Sequence, residues 1–357
     1  MDLIKLRQEI NKLDDALLAL LSERTVLIKE VGVLKNKRQV NVYNPEREKE
    51  ILDRLKKNNN GFLSEQAIDA IFLEIFAVSR NYELPERVAY LGPEGSFTHQ
   101  AAADRFGAIS NYFPLASIKS VFETVTTGRA TYGIVPIENN QQGVVSETVS
   151  YLAEFDLKIV AEIPMAIHFC FATFAEKITD IKKIYSKDIA FRQCKKFIND
   201  SFHNNIPELI PVNSTSKAVH MALEDKESAA ISAHIAAKQQ RLPILFENIE
   251  DSKDNQTRFL ILGKDFKNQP SGSDKTTILA KPSDTDKPGS LAEFLQDFHN
   301  AGINLTKIES HPAKKGKKFK YWFFIDFDGH FEDEKVKPIL KKHEKEIGLL
   351  GSYVKLC

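Results

Sequence analysis

Leu3, Leu6, Ile10, Leu13, Leu17 and Leu20, then Leu27, Val31 and Leu34, recur at spacings of three and four through residues 1–36. Only an α-helix gathers residues at that spacing on one face, and a seam kept for about five heptads resembles a coiled coil. At ~1.5 Å per residue the helix is about 50 Å long, too long for a small domain to cover alone. The pattern predicts that it packs against a second copy of itself. Arg24 interrupts the seam where a leucine is due, and a guanidinium there is costly unless a partner or ligand meets it.

Two further helices follow. Pro45 suits the first position of a helix over 45–57 that ends at Asn58-Asn59-Asn60-Gly61. Ser64 suits the cap of a helix reaching Glu83, with Ile68, Ile71, Phe72, Ile75 and Phe76 on one face. Pro85 closes this all-helical segment. From Arg87 the period shortens: a strand at 88–91, the loop Gly92-Pro93-Glu94-Gly95, a helix opened by Ser96, a Ser117-capped helix and a strand at 132–137. A similar order returns 97 positions on. PLASIKSVFETVTTGRATYGIVP (114–136) lies over PVNSTSKAVHMALEDKESAAISA (211–233), matching Pro114 with Pro211, Ser117 with Ser214 and Ile134 with Ile231. Two similar α/β lobes are expected, with a ligand cleft between them. Residues 268–274, NQPSGSD, read as a linker. Beyond it a strand at 276–280, a helix after Pro288, strands at 303–310 and 319–327, a helix near 332–343 and a final strand ending at Val354 give the βαββαβ order of a ferredoxin-like domain.

Composition excludes several classes. The 357 residues carry 49 Lys+Arg and 49 Asp+Glu, and 14 of each fall within 1–85. That local balance disfavours nucleic-acid and membrane-surface binding. The lysine run at 314–318 lacks interleaved aromatics and reads as a solvated turn. Cys170, Cys194 and Cys357 form neither a disulfide framework nor a zinc pattern. The nine histidines form no ligand-spaced cluster, so no metal or organic cofactor is indicated. The opening MDLIKLRQEI has no signal-peptide core and no apolar run is long enough to span a membrane, so a cytoplasmic protein is expected.

Arg24 and Lys35 stand three turns apart on nearly one helical face, Arg7 lies far up the same helix, Arg47 and Glu48 open the second, and Ser79 and Glu83 are i, i+4 on the third. Cations converging on a bundle suit a small polyanion such as a dicarboxylate. These segments, LRQEINKLDDALLALLSER, VYNPERE and IFLEIFAVSR, resemble the all-helical chorismate mutase domain of bifunctional chorismate mutase–prephenate dehydratases. YLGPEGSFTHQAA, IVPIENNQQG, NSTSKA and NQTRFLIL resemble prephenate dehydratase. DKPGSLAEFLQDFHNAGINLTKIESHP is similar to ACT regulatory domains. The resemblance covers the chain in three parts: helical 1–85, a two-lobed α/β domain 86–266, and an α+β ACT domain 274–357.

The resemblance implies rearrangement of chorismate to prephenate, then loss of carbon dioxide and water to phenylpyruvate, with phenylalanine as feedback inhibitor. For the mutase it implies that Arg7 of a partner subunit, Arg24 and Arg47 bind carboxylates. It further implies that Lys35 and Glu83 donate to the ether oxygen, while Glu48 and Ser79 contact the substrate hydroxyl. Asn44 replaces the aspartate of enterobacterial members, and Glu83 replaces their glutamine. To donate, Glu83 must hold its proton, which burial favours; this predicts a mutase rate that falls as pH rises.

For the dehydratase the resemblance makes Thr257 the catalytic hydroxyl beside Arg258 and Phe259. It places Ser96, Thr98, Glu138, Asn139, Ser214 and Thr215 along the interlobe cleft. A hydroxyl is a weak acid, so Thr257 is read as a positioned donor to the departing hydroxide. Two departures stand out: Asn140 where the family has Ser or Thr, and Ser186-Lys187-Asp188-Ile189 where it commonly has Ser-His-Pro-Gln. In the ACT domain Gly289, Ser290 and Leu291 with Glu309, Ser310 and His311 correspond to the two effector motifs. His311 replaces the usual arginine, and no arginine follows Arg258, so weakened phenylalanine inhibition is expected. The alternative reading is a chorismate mutase joined to a non-catalytic, small-acid-binding regulatory module.

Overall fold

The computed structural model describes residues 2–38, 43–203, 205–281, 288–312 and 321–355. The chain divides into two compact units, Met1–Glu86 with Phe106–Asn111, and Arg87–Arg105 with Tyr112–Cys357.

The first unit holds α1 (Leu3–Arg38), α2 (Pro45–Lys57) and α3 (Glu65–Glu83). Pro45 opens α2 at its first turn, and the Asn44 side chain accepts from Arg47 N at 2.8 Å. Ser64 caps α3 by accepting from Ala67 N at 3.1 Å. Both caps satisfy amide donors that a helix start leaves unpaired. The apolar face of α3 buries Ile68, Phe76 and Ala77, and Tyr43 and Phe106 pack with ring centroids 5.4 Å apart. Gly32 lies where α1 meets α3: a Cβ there would stand 3.3 Å from Glu83 Cα. Along the rest of α1 the leucine seam faces outward, with Leu13, Leu17 and Leu27 exposed by 69%, 56% and 62%.

The second unit begins with β1 (Arg87–Leu91), α4 (Phe97–Phe106), β2 (Asn111–Leu115), α5 (Ile118–Thr126), β3 (Tyr132–Asn139), β4 (Gly143–Val144), α6 (Ser146–Glu154) and β5 (Lys158–Ala166). The chain then crosses into a second lobe: β6 (Phe169–Thr173), β7 (Lys183–Ser186), α7 (Asp188–Gln193), α8 (Lys195–Phe202), β8 (Glu208–Pro211), α9 (Thr215–Glu224), β9 (Ser228–Ala233), α10 (His234–Gln240) and β10 (Ile244–Phe246). Strand β11 (Gln256–Gly263) returns to the first lobe, giving sheets ordered β2-β1-β3-β11-β5, with β4 on β3, and β10-β6-β9-β7-β8.

The internal repeat is structural. β1 pairs parallel with β3 as β7 does with β9. Ser117 and Ser214 cap the equivalent helices α5 and α9, accepting from Ser120 N at 3.1 Å and Lys217 N at 3.0 Å. The C-terminal part runs β12 (Asp274–Ala280), α11 (Ser290–Asn300), β13 (Leu305–Pro312), β14 (Tyr321–Asp328), α12 (Lys337–Lys342) and β15 (Ile347–Val354), in the sheet order β13-β14-β12-β15. This is the expected βαββαβ unit. Its last helix is shorter than the pattern suggests because the chain turns through 331–336 before Pro338. The lysine run at 314–318 and Cys357 lie outside the described residues. Among the described residues no helix is long and apolar enough to cross a membrane, and no cluster of three or more His, Cys, Asp or Glu is arranged to hold a metal ion.

Candidate active sites

In the helical unit, Arg24 Nη1 donates to Ser79 Oγ, and Lys35 Nζ lies 2.9 Å from Glu83 Oε2. The two contacts sit four residues apart on α3, so one face of α1 presents Arg24 and Lys35 to one face of α3. Gly32 is the sequence signal for this close approach: with no side chain, it lets the helices meet one turn before Lys35. Burial pushes the Arg24 guanidinium down while Glu83 opposes that shift. The Glu83 side chain is buried, and its partner Lys35 is partly so.

Among the described residues, three expected ones make no hydrogen bond or ion pair with this group. Arg7 is 17 residues before Arg24 on α1, about 26 Å along the axis at ~1.5 Å per residue, so within one chain it cannot join them. Arg47 pairs with Glu50 at 2.9 Å on the exposed side of α2. Asn44 caps α2 with its side chain.

Glu48 points into the unit's interior and meets Arg80, which also pairs through Nε with Glu86 at 2.9 Å and donates to the Phe106 carbonyl at 3.2 Å. The guanidinium packs 5.5 Å from the Tyr43 ring centroid and 5.6 Å from that of Phe106. Burial acts against its charge, yet Glu48 and Glu86 raise its pKa; burial pushes Glu86 upward in turn. Arg80 was not anticipated. Lying beside Ser79 on an apolar helix, it was the available signal.

In the two-lobed domain Thr257 and Asn139 are register partners on β11 and β3. Asn139 Nδ2 donates to Thr257 Oγ1 and to Asn255 Oδ1, both at 2.9 Å, and Asn139 Oδ1 accepts from the Gln141 and Gln142 amides at 3.0 Å. The carboxamide is thus locked on both ends, and with it the Thr257 oxygen. Phe259 is buried in the sheet core. Arg258 and Glu138 face away from Thr257: Arg258 Nε lies 2.9 Å from Glu138 Oε1, and Nη1 lies 2.8 Å from Asp326 and 3.2 Å from Glu162.

Ser96 and Ser214 serve their helices. Ser96 Oγ accepts from His99 N and donates to Leu91 O, each at 3.2 Å, and Ser214 caps α9. Thr98 and Thr215 are buried in the first turns of α4 and α9. The loop before α4 lies against the second lobe at Gly95, where a Cβ would stand 3.0 Å from Ser216 Oγ and Ala236 Cβ. Its φ of +76° is a second reason for glycine there. Behind this loop the buried His99 stacks on Tyr90, ring centroids 4.6 Å apart, and its Nδ1 accepts from Gly95 N at 3.0 Å. Burial holds the His99 pKa below its usual value.

A cleft of about 910 Å³ opens between the lobes. Gln141 and Gln142, which follow Asn139, form its first-lobe wall; Lys187, Asp188, Arg192, Gln193 and Asn213 contribute from the second. Gln193 Nε2 donates to Gln141 Oε1 at 2.7 Å across it. At the crossover between lobes His168 Nδ1 lies 2.6 Å from Glu250 Oε1, and Ile167 N donates to Asn255 O at 2.8 Å. Arg192 and Gln193 were missed; their signal was position, six and seven residues beyond Ser186 in the divergent motif.

In the C-terminal sheet Gly289, with φ +93°, precedes Ser290 at the start of α11. Glu309, Ser310 and His311 lie on the edge strand β13. Among the described residues no hydrogen bond or ion pair joins the two motifs. His311 is buried and stacked on Trp322, centroids 4.9 Å apart, and its Nε2 has no hydrogen-bond partner. Burial lowers its pKa.

Comparison with known proteins places these sites in a family. Family models match in the order chorismate mutase type II (residues 6–84), prephenate dehydratase (88–267) and ACT domain (285–345). The bifunctional chorismate mutase/prephenate dehydratase of Aquifex aeolicus is 41% identical over 99% of this chain and 98% of its own. The chain belongs to the bifunctional chorismate mutase/prephenate dehydratase family. The Pseudomonas aeruginosa member is 39% identical over 98% of this chain and 97% of its own. Among solved structures, the prephenate dehydratase from Arthrobacter aurescens in complex with L-Phe covers 75% of this chain and 90% of its own, with a TM-score of 0.68 and 33% identity. The family's mutase segment thus contains the Arg24–Ser79 and Lys35–Glu83 contacts, and its dehydratase segment the Asn139–Thr257 pair.

Proposed function

We propose that the helical unit rearranges chorismate to prephenate and that the two-lobed domain converts prephenate to phenylpyruvate, carbon dioxide and water. The observation that carries the dehydratase assignment is the Asn139–Thr257 hydrogen bond, whose carboxamide also accepts from the amides of Gln141 and Gln142 in the cleft wall. The carboxamide donates to the hydroxyl oxygen and thereby leaves the hydroxyl proton free to point at a ligand. A donor fixed before the reaction stabilises the charge that builds on the departing hydroxide. Lys187 and Arg192 supply positive charge in the cleft for a dicarboxylate. In this reading Ser96, Thr98, Ser214 and Thr215 shape the starts of α4 and α9, and Glu138, Arg258 and Phe259 hold the strands that carry Asn139 and Thr257.

In the mutase, Arg24, with Arg47, takes the substrate carboxylates, Lys35 and Glu83 serve the ether oxygen, and Ser79 and Glu48 serve the hydroxyl end. Asn44 contributes through the start of α2. The reaction requires a compact pose and charge stabilisation, with no covalent step. We infer that two chains pair along α1. That covers the exposed leucine seam, and it brings Arg7 of the partner subunit to a site its own chain cannot reach. We further propose boundaries of 1–85, 86–266 and 274–357 for the three domains, a cytoplasmic location, and phenylalanine binding at Gly289–Leu291 and Glu309–His311.

Two variants separate the activities. Arg24→Ala should lose formation of prephenate from chorismate by about 10²-fold or more while still converting added prephenate. Thr257→Ala should do the reverse and accumulate prephenate. Phenylpyruvate formation from prephenate by neither variant nor wild type would favour the non-catalytic alternative.

A further inference from the structure

Strands β3 and β11 carry two adjacent register pairs, Asn139 with Thr257 and Glu138 with Arg258. Successive strand residues point to opposite faces. The Asn139–Thr257 hydrogen bond therefore lies on one face, and the Glu138–Arg258 ion pair lies directly behind it on the other.

That rear face meets the C-terminal sheet through three ion pairs. Arg258 reaches Asp326 on β14 at 2.8 Å, Lys307 on β13 reaches Glu138, and Lys275 on β12 holds Glu162 of β5 at 2.7 Å. The cluster is balanced, with Arg258, Lys275 and Lys307 facing Glu138, Glu162 and Asp326. Its inner members are buried, the side chains of Glu162 and Asp326 being 1% exposed and that of Arg258 12%, while those of Lys307 and Glu138 are 15% and 31% exposed. Buried charges that give up a partner are left uncompensated, so such contacts resist displacement. The pairing of β3 with β11 is irregular at this point: the register shifts between Arg258 and Phe259, leaving Ile137 as the extra residue. At a bulge the backbone ladder alone does not set where side chains aim. The clamp from behind supplies what the ladder lacks.

We propose that Lys307 and Asp326 are positioning residues for the dehydratase reaction, fixing Glu138 and Arg258 and thereby the aim of Asn139 and Thr257. This rests on the reading of Thr257 as the dehydratase hydroxyl. The C-terminal sheet then completes the dehydratase site in addition to any regulatory duty. Lys307 also lies two residues before Glu309 on β13, so a ligand held at Glu309–His311 bears on a strand that already grips Glu138.

The test uses the full-length protein and five variants, Lys307→Met, Lys307→Arg, Asp326→Asn, Glu138→Gln and Glu138→Gln/Lys307→Met, with mutase turnover of chorismate as the internal control. Lys307→Met and Asp326→Asn should lower dehydratase kcat at least tenfold, with KM for prephenate within twofold and mutase turnover unchanged. Lys307→Arg should recover kcat to within threefold of wild type. In Glu138→Gln/Lys307→Met the loss should not exceed that of the worse single variant. Wild-type kcat in Lys307→Met and Asp326→Asn, alongside turnover that still depends on Thr257, would overturn the positioning role alone. A loss confined to KM, or one shared equally by both activities, would also overturn it. Prephenate turnover that survives Thr257→Ala would overturn the Thr257 reading and this inference with it.

Discussion

Asn139 Nδ2 donates to Thr257 Oγ1 at 2.9 Å, and the same carboxamide is anchored through Oδ1 by the Gln141 and Gln142 amides. One side chain thereby joins the proposed catalytic strand to the loop that walls the cleft. Replacing Asn139 by Ala frees both the hydroxyl and that loop. Dehydratase kcat is expected to fall by about 10²-fold, in the range seen when one preorganised donor is removed. Asn139→Asp should fare no better, since an ionised carboxylate has no proton to donate. Steady-state kinetics with prephenate check both.

Arg80 is the structural centre of the helical unit. Arg80→Met would bury Glu48 and Glu86 without their cation, and breaking a buried pair in this way costs about 3–5 kcal/mol. The expected result is a clear fall in the unfolding midpoint of that unit, followed by thermal or urea denaturation. The triple replacement Arg80→Met/Glu48→Gln/Glu86→Gln should recover much of the loss, because no buried charge remains unpaired.

His99 gives the dehydratase an acid-sensitive element. Its folded pKa is depressed by burial, whereas the unfolded imidazole titrates near ~6.5. Between the folded and unfolded values the unfolded chain binds the extra proton. The contribution is therefore complete above about pH 6.5 and is lost as pH falls toward the folded pKa. Denaturation midpoints from pH 8 to pH 5 should decline below that point, and His99→Gln should flatten the decline.

His311 occupies the place of the usual arginine in the second effector motif, and burial keeps it on the neutral side. A neutral ring stacked on Trp322 offers no charge to an amino-acid carboxylate. Phenylalanine should still inhibit prephenate turnover, and His311→Arg should lower the concentration needed by roughly tenfold, the effect of about 1.4 kcal/mol. Absence of inhibition at millimolar phenylalanine in both proteins would exclude this site.

What the sequence made legible was local. The leucine seam, the Pro45 and Ser64 helix starts and the repeat of a serine cap 97 residues on all express spacing within a few turns of chain, and all recur in the structure. Arg24 stood out because it broke a pattern. The partners that define the sites are separated by long stretches: Arg24 and Ser79 by 55 residues, Asn139 and Thr257 by 118, Glu138 and Lys307 by 169. No periodicity reports such pairs. Nor does a motif state which face each residue takes: TRF places Thr257, Arg258 and Phe259 together in sequence, yet the fold sends one toward Asn139, one into an ion cluster and one into the core.

The central claim is that Thr257 acts in the turnover of prephenate. Its most direct test is the rate of phenylpyruvate formation from added prephenate by wild type, Thr257→Ser and Thr257→Ala. Substantial turnover by wild type and Thr257→Ser, with a loss of about 10²-fold or more in the kcat of Thr257→Ala and intact mutase activity, is predicted. Equal turnover by wild type and Thr257→Ala, or none by any of the three, would contradict it.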